Sequence, residues 1–192
     1  MTALLEAMAA DDYPAEAALV LSNNPDAPGL TYAASKGVAT AALDHRRFKG
    51  DRAAFEAELD ATLRTAQIDL VCLAGFMRIL TDGFVSKWRN AMVNIHPSLL
   101  PSFKGLNTHQ RALDAGVAFH GCTVHLVRAE MDDGPILGQA VLAVEAGETA
   151  ETLAARVLGR EHALYPAALR AYLSGEVTLV GEMIKPAPLA LT

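Results

Sequence analysis

Asn94 and His96 stand two residues apart at the end of an apolar run that stops at Pro97. Read as a strand from Ala91 to Ile95, that run projects both side chains from one face, because strand side chains alternate. The Pro-rich loop Pro97-Ser98-Leu99-Leu100-Pro101 then leaves the pair at the strand's carboxyl end, the edge where open α/β sheets bind ligands. An amide able to donate to an oxyanion, beside an imidazole able to move a proton, suits transfer at a carbonyl carbon. A histidine at a strand end also serves simply to satisfy local backbone groups, and the residues alone leave both readings open. The segment Glu130-Met131-Asp132-Asp133-Gly134-Pro135 supplies carboxylates on a tight loop. It reads either as an acidic turn or, if the fold brings it to His96, as the partner of an imidazolium.

The elements that must position these groups follow from periodicity and breakers. Helices are expected over Met1 to Ala10, Ala27 to Lys36, Asp51 to Ala66, Gly83 to Trp88 and Thr108 to Ala115. Strands are expected at Ala15 to Leu21, Val38 to Leu43, Asp69 to Ala74 (buried) and Ala91 to Ile95. Ala118 to Val127 and Ile136 to Val144 read as a pair of strands joined by a Gly-containing loop. The longest helix runs from Thr149 to Ala171, and Pro166 should bend or divide it. Val177 to Ile184 reads as a β ribbon, with a loose end after it. Alternating strands and helices followed by antiparallel strands give an α/β fold: a doubly wound, mostly parallel sheet with an antiparallel C-terminal extension. Neither repeat nor linker interrupts residues 1–192, so one domain is expected.

The composition, 52% hydrophobic and 20% charged over 192 residues, is that of a globular chain with a sizeable core. A net charge of -6 argues against a nucleic-acid surface, and no apolar stretch approaches a membrane span or a signal peptide. Cys72 and Cys122 sit among apolar or small residues and read as buried free thiols, so a reducing cytoplasm is expected. His120 and His125 read as packing or hydrogen-bonding residues. Metal-ligand spacing is absent, and no metal is expected. Gly75 to Leu80 reads as a hydrophobic plug or as the wall of a pocket for a flat heterocycle. Phe103 to His109 reads as a mobile flap, or as the start of a helix capped by Asn107.

Taken in order, Leu73 to Leu80, Asn94 to Pro101, Gly105-Leu106-Asn107-Thr108-His109, Asp132-Asp133-Gly134-Pro135 and Glu161 to Pro166 resemble the phosphoribosylglycinamide formyltransferases over nearly the whole chain. The resemblance implies a nucleotide-binding half for glycinamide ribonucleotide and a site for the co-substrate 10-formyltetrahydrofolate at the antiparallel end, without metal. It implies that Asn94 bonds the formyl oxygen, that His96 donates the proton, and that Asp132 holds the imidazole. Arg52 would meet the folate, and the pterin would lie against Met77, Arg78, Ile79 and Leu80. The loop Arg128, Ala129, Glu130, Met131, Asp132 would close over it. Leu158, Gly159, Arg160 and Glu161 match the ribonucleotide-contacting segment, although Leu158 replaces a residue often polar in the family. The expected partners are these small molecules, with no nucleic acid or membrane, acting as a monomer or homodimer.

The chain departs from the family at its front, where Met1-Thr2-Ala3-Leu4-Leu5 matches the body of a helix that elsewhere follows a strand and a Gly-rich phosphate loop. A misassigned start is the expectation, along with a sheet short of one inner strand. Formyltetrahydrofolate deformylase and a non-catalytic folate-binding short form are the competing readings.

Overall fold

Five apolar runs pair into one twisted sheet in the order β3-β4-β5-β6-β9, the last being Leu189–Leu191. The computed structural model describes residues 1–192 throughout. Strands β3 (Val71–Leu73) and β4 (Met92–His96) run parallel, with Cys72 opposite Val93 and Leu73 opposite Asn94. Strand β5 (Phe119–Leu126) returns antiparallel to β4, and β6 (Ile136–Ala143) is antiparallel to β5. A separate parallel pair is formed by β1 (Leu19–Ser22) and β2 (Ala39–Ala42). The α/β class and the antiparallel extension agree with the sequence reading, while the parallel part comes in two pieces.

Between those pieces lies a largely apolar groove of about 550 Å³, lined among others by Leu4, Leu19, Leu21, Leu63 and Cys72. Neither β1 nor β3 pairs with another strand on the side facing it. Residues 69–74, read as a buried strand, are for this reason only partly covered, and the strand shortens to Val71–Leu73. Residues 15–18 likewise stay out of β1.

The helices cover both faces. Helices α1 (Thr2–Met8) and α6 (Ala150–Leu173) share a core with Val93, Val124 and Leu126. Helix α3 (Arg52–Thr65) and helix α4 (Asp82–Lys87) pack Phe55, Leu59 and Phe84 against the opposite face, around Met92 of β4. The remaining helices are α2 (Pro28–Ser35) and α5 (Thr108–Asp114). Asp51 caps α3 by accepting from Ala54 N at 3.0 Å, and Thr149 and Thr152 form a reciprocal box at the start of α6.

Two expectations are corrected. Pro166 does not divide α6, which runs unbroken from Ala150 to Leu173. Leu164, Tyr165, Ala168 and Leu169 are buried on either side of it, and Tyr13 Oη donates to the Pro166 carbonyl at 2.9 Å. Packing here outweighs the lost backbone donor. The C-terminus is not loose: beyond the hairpin of β7 (Thr178–Val180) and β8 (Met183–Lys185), Leu189–Leu191 forms β9, parallel to β6.

Tyr165 ties α6 to the strand pair that carries the chemistry. Its buried hydroxyl lies 3.1 Å from Leu73 O and 3.0 Å from Val93 O. Tyr165→Phe is expected to lower unfolding free energy by about 1–2 kcal/mol, read from urea denaturation. An unchanged midpoint would remove this bond from the account.

Candidate active site

Alternation along β4 decides which groups face the site. Val93 packs with α6, while Met92 belongs to the core beneath α3 and α4. Asn94 and His96 therefore share the face of Met92, opposite α6. Antiparallel pairing sets His125 across from Asn94 and Thr123 across from His96.

Asn94 Nδ2 lies 3.3 Å from His125 Nε2, and His125 Nδ1 lies 3.1 Å from Leu126 O. Burial lowers the pKa of His125, so its ring is neutral at physiological pH. One tautomer satisfies both contacts: Nδ1–H donates to Leu126 O and Nε2 accepts from the Asn94 amide. That bond fixes Asn94 with its NH2 end known and a second N–H left to offer.

His96 is buried, and its Nδ1 lies 3.4 Å from Asp132 Oδ2. Its Nε2 is 3.1 Å from Phe103 O. Both ring nitrogens thus face acceptors. Asp132 sits in the left-handed region (φ 53°), which Asp tolerates better than most residues, and Oδ2 also accepts from Gly105 N at 2.9 Å. One carboxylate therefore joins the loop after β5 to the imidazole and to the Phe103–His109 segment. Asn107 occupies the N-cap position of α5, but at φ 57° and without a side-chain cap bond, so it does not cap as expected.

A buried network holds the loop that follows His96. Thr123 Oγ1 donates to Ser98 O at 2.7 Å and accepts from Leu100 N and Gln139 Nε2, each at 3.0 Å. Thr123 and Gln139 were not singled out in the sequence. The signal was there: Thr123 and His125 alternate with apolar Cys122, Val124 and Leu126, the mark of one polar face.

The segment after β3 forms an exposed apolar rim. Met77 is 83% exposed and Ile79 66%, with Leu106 and Met131 also open. Met77 and Ile79, two residues apart on one segment, leave more apolar surface open than a plug would. Arg78 stacks on Phe55 at 5.4 Å, and Leu80 packs against the core beneath. Glu56, also missed in the sequence, is buried and accepts from both the amide and the hydroxyl of Thr81, pinning this segment to α3. Arg52 is exposed in the first turn of α3, on the side of Phe55. Arg128 is buried at the start of the loop, while Ala129, Glu130 and Met131 are exposed.

Leu158, Gly159, Arg160 and Glu161 are not brought to this cluster. They lie on α6, on the other side of the sheet. Leu158 is exposed, and Arg160 Nη1 donates to Thr192 O at 3.1 Å. Burial raises the Glu161 pKa, partly offset by the α-amino group of Met1.

Burial pushes the Cys72 thiol up to about 11 and that of Cys122 to about 12, so neither is a thiolate nucleophile at neutral pH. No group of three or more His, Cys, Asp or Glu side chains is arranged to hold a metal ion, and no helix is long and apolar enough to cross a membrane.

A pair of imidazoles lies at the end of the Phe103–His109 segment. His120 Nε2 is 3.2 Å from His109 Nδ1, and burial, then the neighbouring His109, lowers the His120 pKa to about 4. The folded state thus disfavours a proton that the unfolded chain accepts near pH 6.5. This contribution is full above pH 6.5 and is lost as pH falls toward 4. Unfolding free energy is expected to drop by about 2 kcal/mol between pH 7.5 and 4.5 from this residue. His120→Gln should flatten the acid slope in urea titrations, and an unchanged slope would contradict the assignment.

An amide, an imidazole and a carboxylate gathered at a strand end, beside an exposed apolar wall, make a site for acyl-group transfer. Residues 1–169 match the family described as formyl transferase, and the chain belongs to that family. It is 39% identical to the phosphoribosylglycinamide formyltransferase of Escherichia coli (strain K12), over 93% of this chain and 84% of that protein. It is 45% identical to the trifunctional purine biosynthetic protein adenosine-3 of Bos taurus, over 93% of this chain but only 18% of the relative's length. The solved glycinamide ribonucleotide transformylase 1 from Symbiobacterium toebii superposes with a TM-score of 0.90 at 40% identity, covering 95% of this chain and 85% of that one. A formyltetrahydrofolate deformylase from Pseudomonas syringae is more distant in sequence, at 28% identity and TM-score 0.85, with 95% of this chain and 60% of that one covered.

Proposed function

We propose that this chain transfers the formyl group of 10-formyltetrahydrofolate to the amine of glycinamide ribonucleotide, in purine biosynthesis. The observation that carries the reading is the joint arrangement of His96 against Asp132 and of Asn94 held by His125, on one strand edge.

In this reading the ribonucleotide amine attacks the formyl carbon, and the carbonyl π electrons move to oxygen. The free N–H of Asn94 donates to that oxygen, a contribution of about 3 kcal/mol for a preorganised donor. The tetrahedral intermediate then breaks its bond to N10 of the folate. The oxyanion re-forms the carbonyl as that bond breaks, and His96 donates its proton to N10, which leaves as tetrahydrofolate. The attacking nitrogen passes its own proton to the imidazole so left neutral. Asp132 keeps the imidazolium oriented, and Phe103 O vacates Nε2 when the flap moves. The pterin lies against Met77, Arg78, Ile79 and Leu80 and under the loop from Arg128 to Asp132, with Arg52 toward the folate tail. The exposed apolar rim supports such a flat ligand. Leu158 to Glu161, on α6 and apart from the transfer groups, serve the ribose end of the ribonucleotide and not its amine, Glu161 through the ribose hydroxyls. We place the whole in one domain working in the cytoplasm, as monomer or homodimer.

The test is steady-state turnover of 10-formyltetrahydrofolate with and without glycinamide ribonucleotide. The proposal requires tetrahydrofolate release that depends on the ribonucleotide. Release of formate at equal rate without it would favour the hydrolytic reading, and folate binding without turnover would favour the non-catalytic one.

A further inference from the structure

The loop proposed to close over the folate is fastened from outside the site, by a residue pair far apart in sequence. Arg128 opens that loop, and its side chain is only 7% exposed. All three guanidinium nitrogens are engaged: Nε donates to Glu182 Oε2 at 2.7 Å, Nη1 to Val127 O at 3.0 Å and Nη2 to Asn90 Oδ1 at 2.9 Å. Glu182 sits in the turn between β7 and β8, and its other oxygen pairs with Arg89. Asn90 is itself fixed, since Tyr172 Oη donates to its carbonyl at 3.0 Å. The far end of the loop closes on the same side chain. A Cβ added at Gly134 would meet Leu126 O at 1.7 Å and Arg128 Cγ at 3.2 Å.

Resting on the folate reading above, we propose that Arg128 and Glu182 are positioning residues that strap the 128–132 loop in its ligand-binding shape, so that the C-terminal hairpin sets folate affinity. A buried guanidinium stripped of its carboxylate must find another partner. Giving it one would displace the loop backbone that it now holds. Asp132 lies at the other end of this loop, four residues from Arg128, which makes the strap a route from the hairpin to the imidazole.

The pair could instead only pin the hairpin to the sheet, and substrate-selective affinity separates the two. The experiment is calorimetric titration of wild type, Glu182→Gln, Arg128→Met and Arg128→Lys with tetrahydrofolate, beside the KM of each for glycinamide ribonucleotide. Expected is a Kd for tetrahydrofolate raised about 5-fold by Glu182→Gln and over about 10-fold by Arg128→Met, with partial recovery in Arg128→Lys. The ribonucleotide KM should stay within about twofold. Should Arg128→Met fail to fold, Glu182→Gln decides the matter, since that carboxylate is 54% exposed. A lowered Tm with unchanged tetrahydrofolate affinity would overturn the proposal, as would equal weakening of both substrates. Titration reads folate affinity whether or not the formyl group reaches an amine, so it fails separately from the transfer assay. A wild-type chain that bound no tetrahydrofolate would overturn both.

Discussion

His96→Ala is expected to lower kcat by ~10²–10⁴, the range for loss of a positioned proton donor, while tetrahydrofolate affinity stays near wild type. The buried ring meets Asp132 through Nδ1 and Phe103 O through Nε2, and neither contact is to the apolar rim. Asp132→Asn should fall in the same direction for a different reason. The amide is nearly isosteric and keeps an oxygen for Gly105 N, so the loop holds its shape. What is lost is the negative charge facing the ring. Stopped-flow turnover with paired tetrahydrofolate titrations checks both variants. Wild-type kcat in either would remove the assigned role, and a large loss of folate affinity would make the residue a binding group instead.

Asn94→Ala is the second large effect, expected at ~10²–10³ in kcat, the cost of one preorganised donor at a developing oxyanion. Its position does not depend on the substrate: His125 holds the amide from across the sheet, and burial keeps that ring neutral and able to accept. His125→Ala should therefore reproduce part of the loss, about 10-fold, by leaving the amide free to rotate. The double variant should cost little more than Asn94→Ala alone, because both act through one bond. Additive losses would contradict the coupling.

Periodicity carried much of this site. Two-residue spacing placed Asn94 and His96 on one face, and the structure keeps them there. It could not say whether Asp132 reaches His96, because that depends on the β5–β6 register and on a left-handed residue at the loop's end. The resemblance filled that gap; the residues alone left an acidic turn and an imidazolium partner both open. Local pattern also failed where distant packing decides. Leu189–Leu191 becomes a strand only because β6 offers an edge, and Pro166 stays helical because the residues around it are buried. The length of β3 is the reverse case, an apolar run left half covered beside the groove. Arg128 had no sequence signal for its partner, since Glu182 lies 54 residues away in a hairpin turn.

The most direct measurement is a single turnover with donor labelled with carbon-13 in the formyl group, wild type beside His96→Ala, with products resolved by NMR. The account predicts label on the amine of formylglycinamide ribonucleotide in wild type, none as formate, and a transfer rate in the variant reduced by orders of magnitude. Label appearing as formate, or transfer at the wild-type rate without His96, would contradict direct transfer at this strand edge.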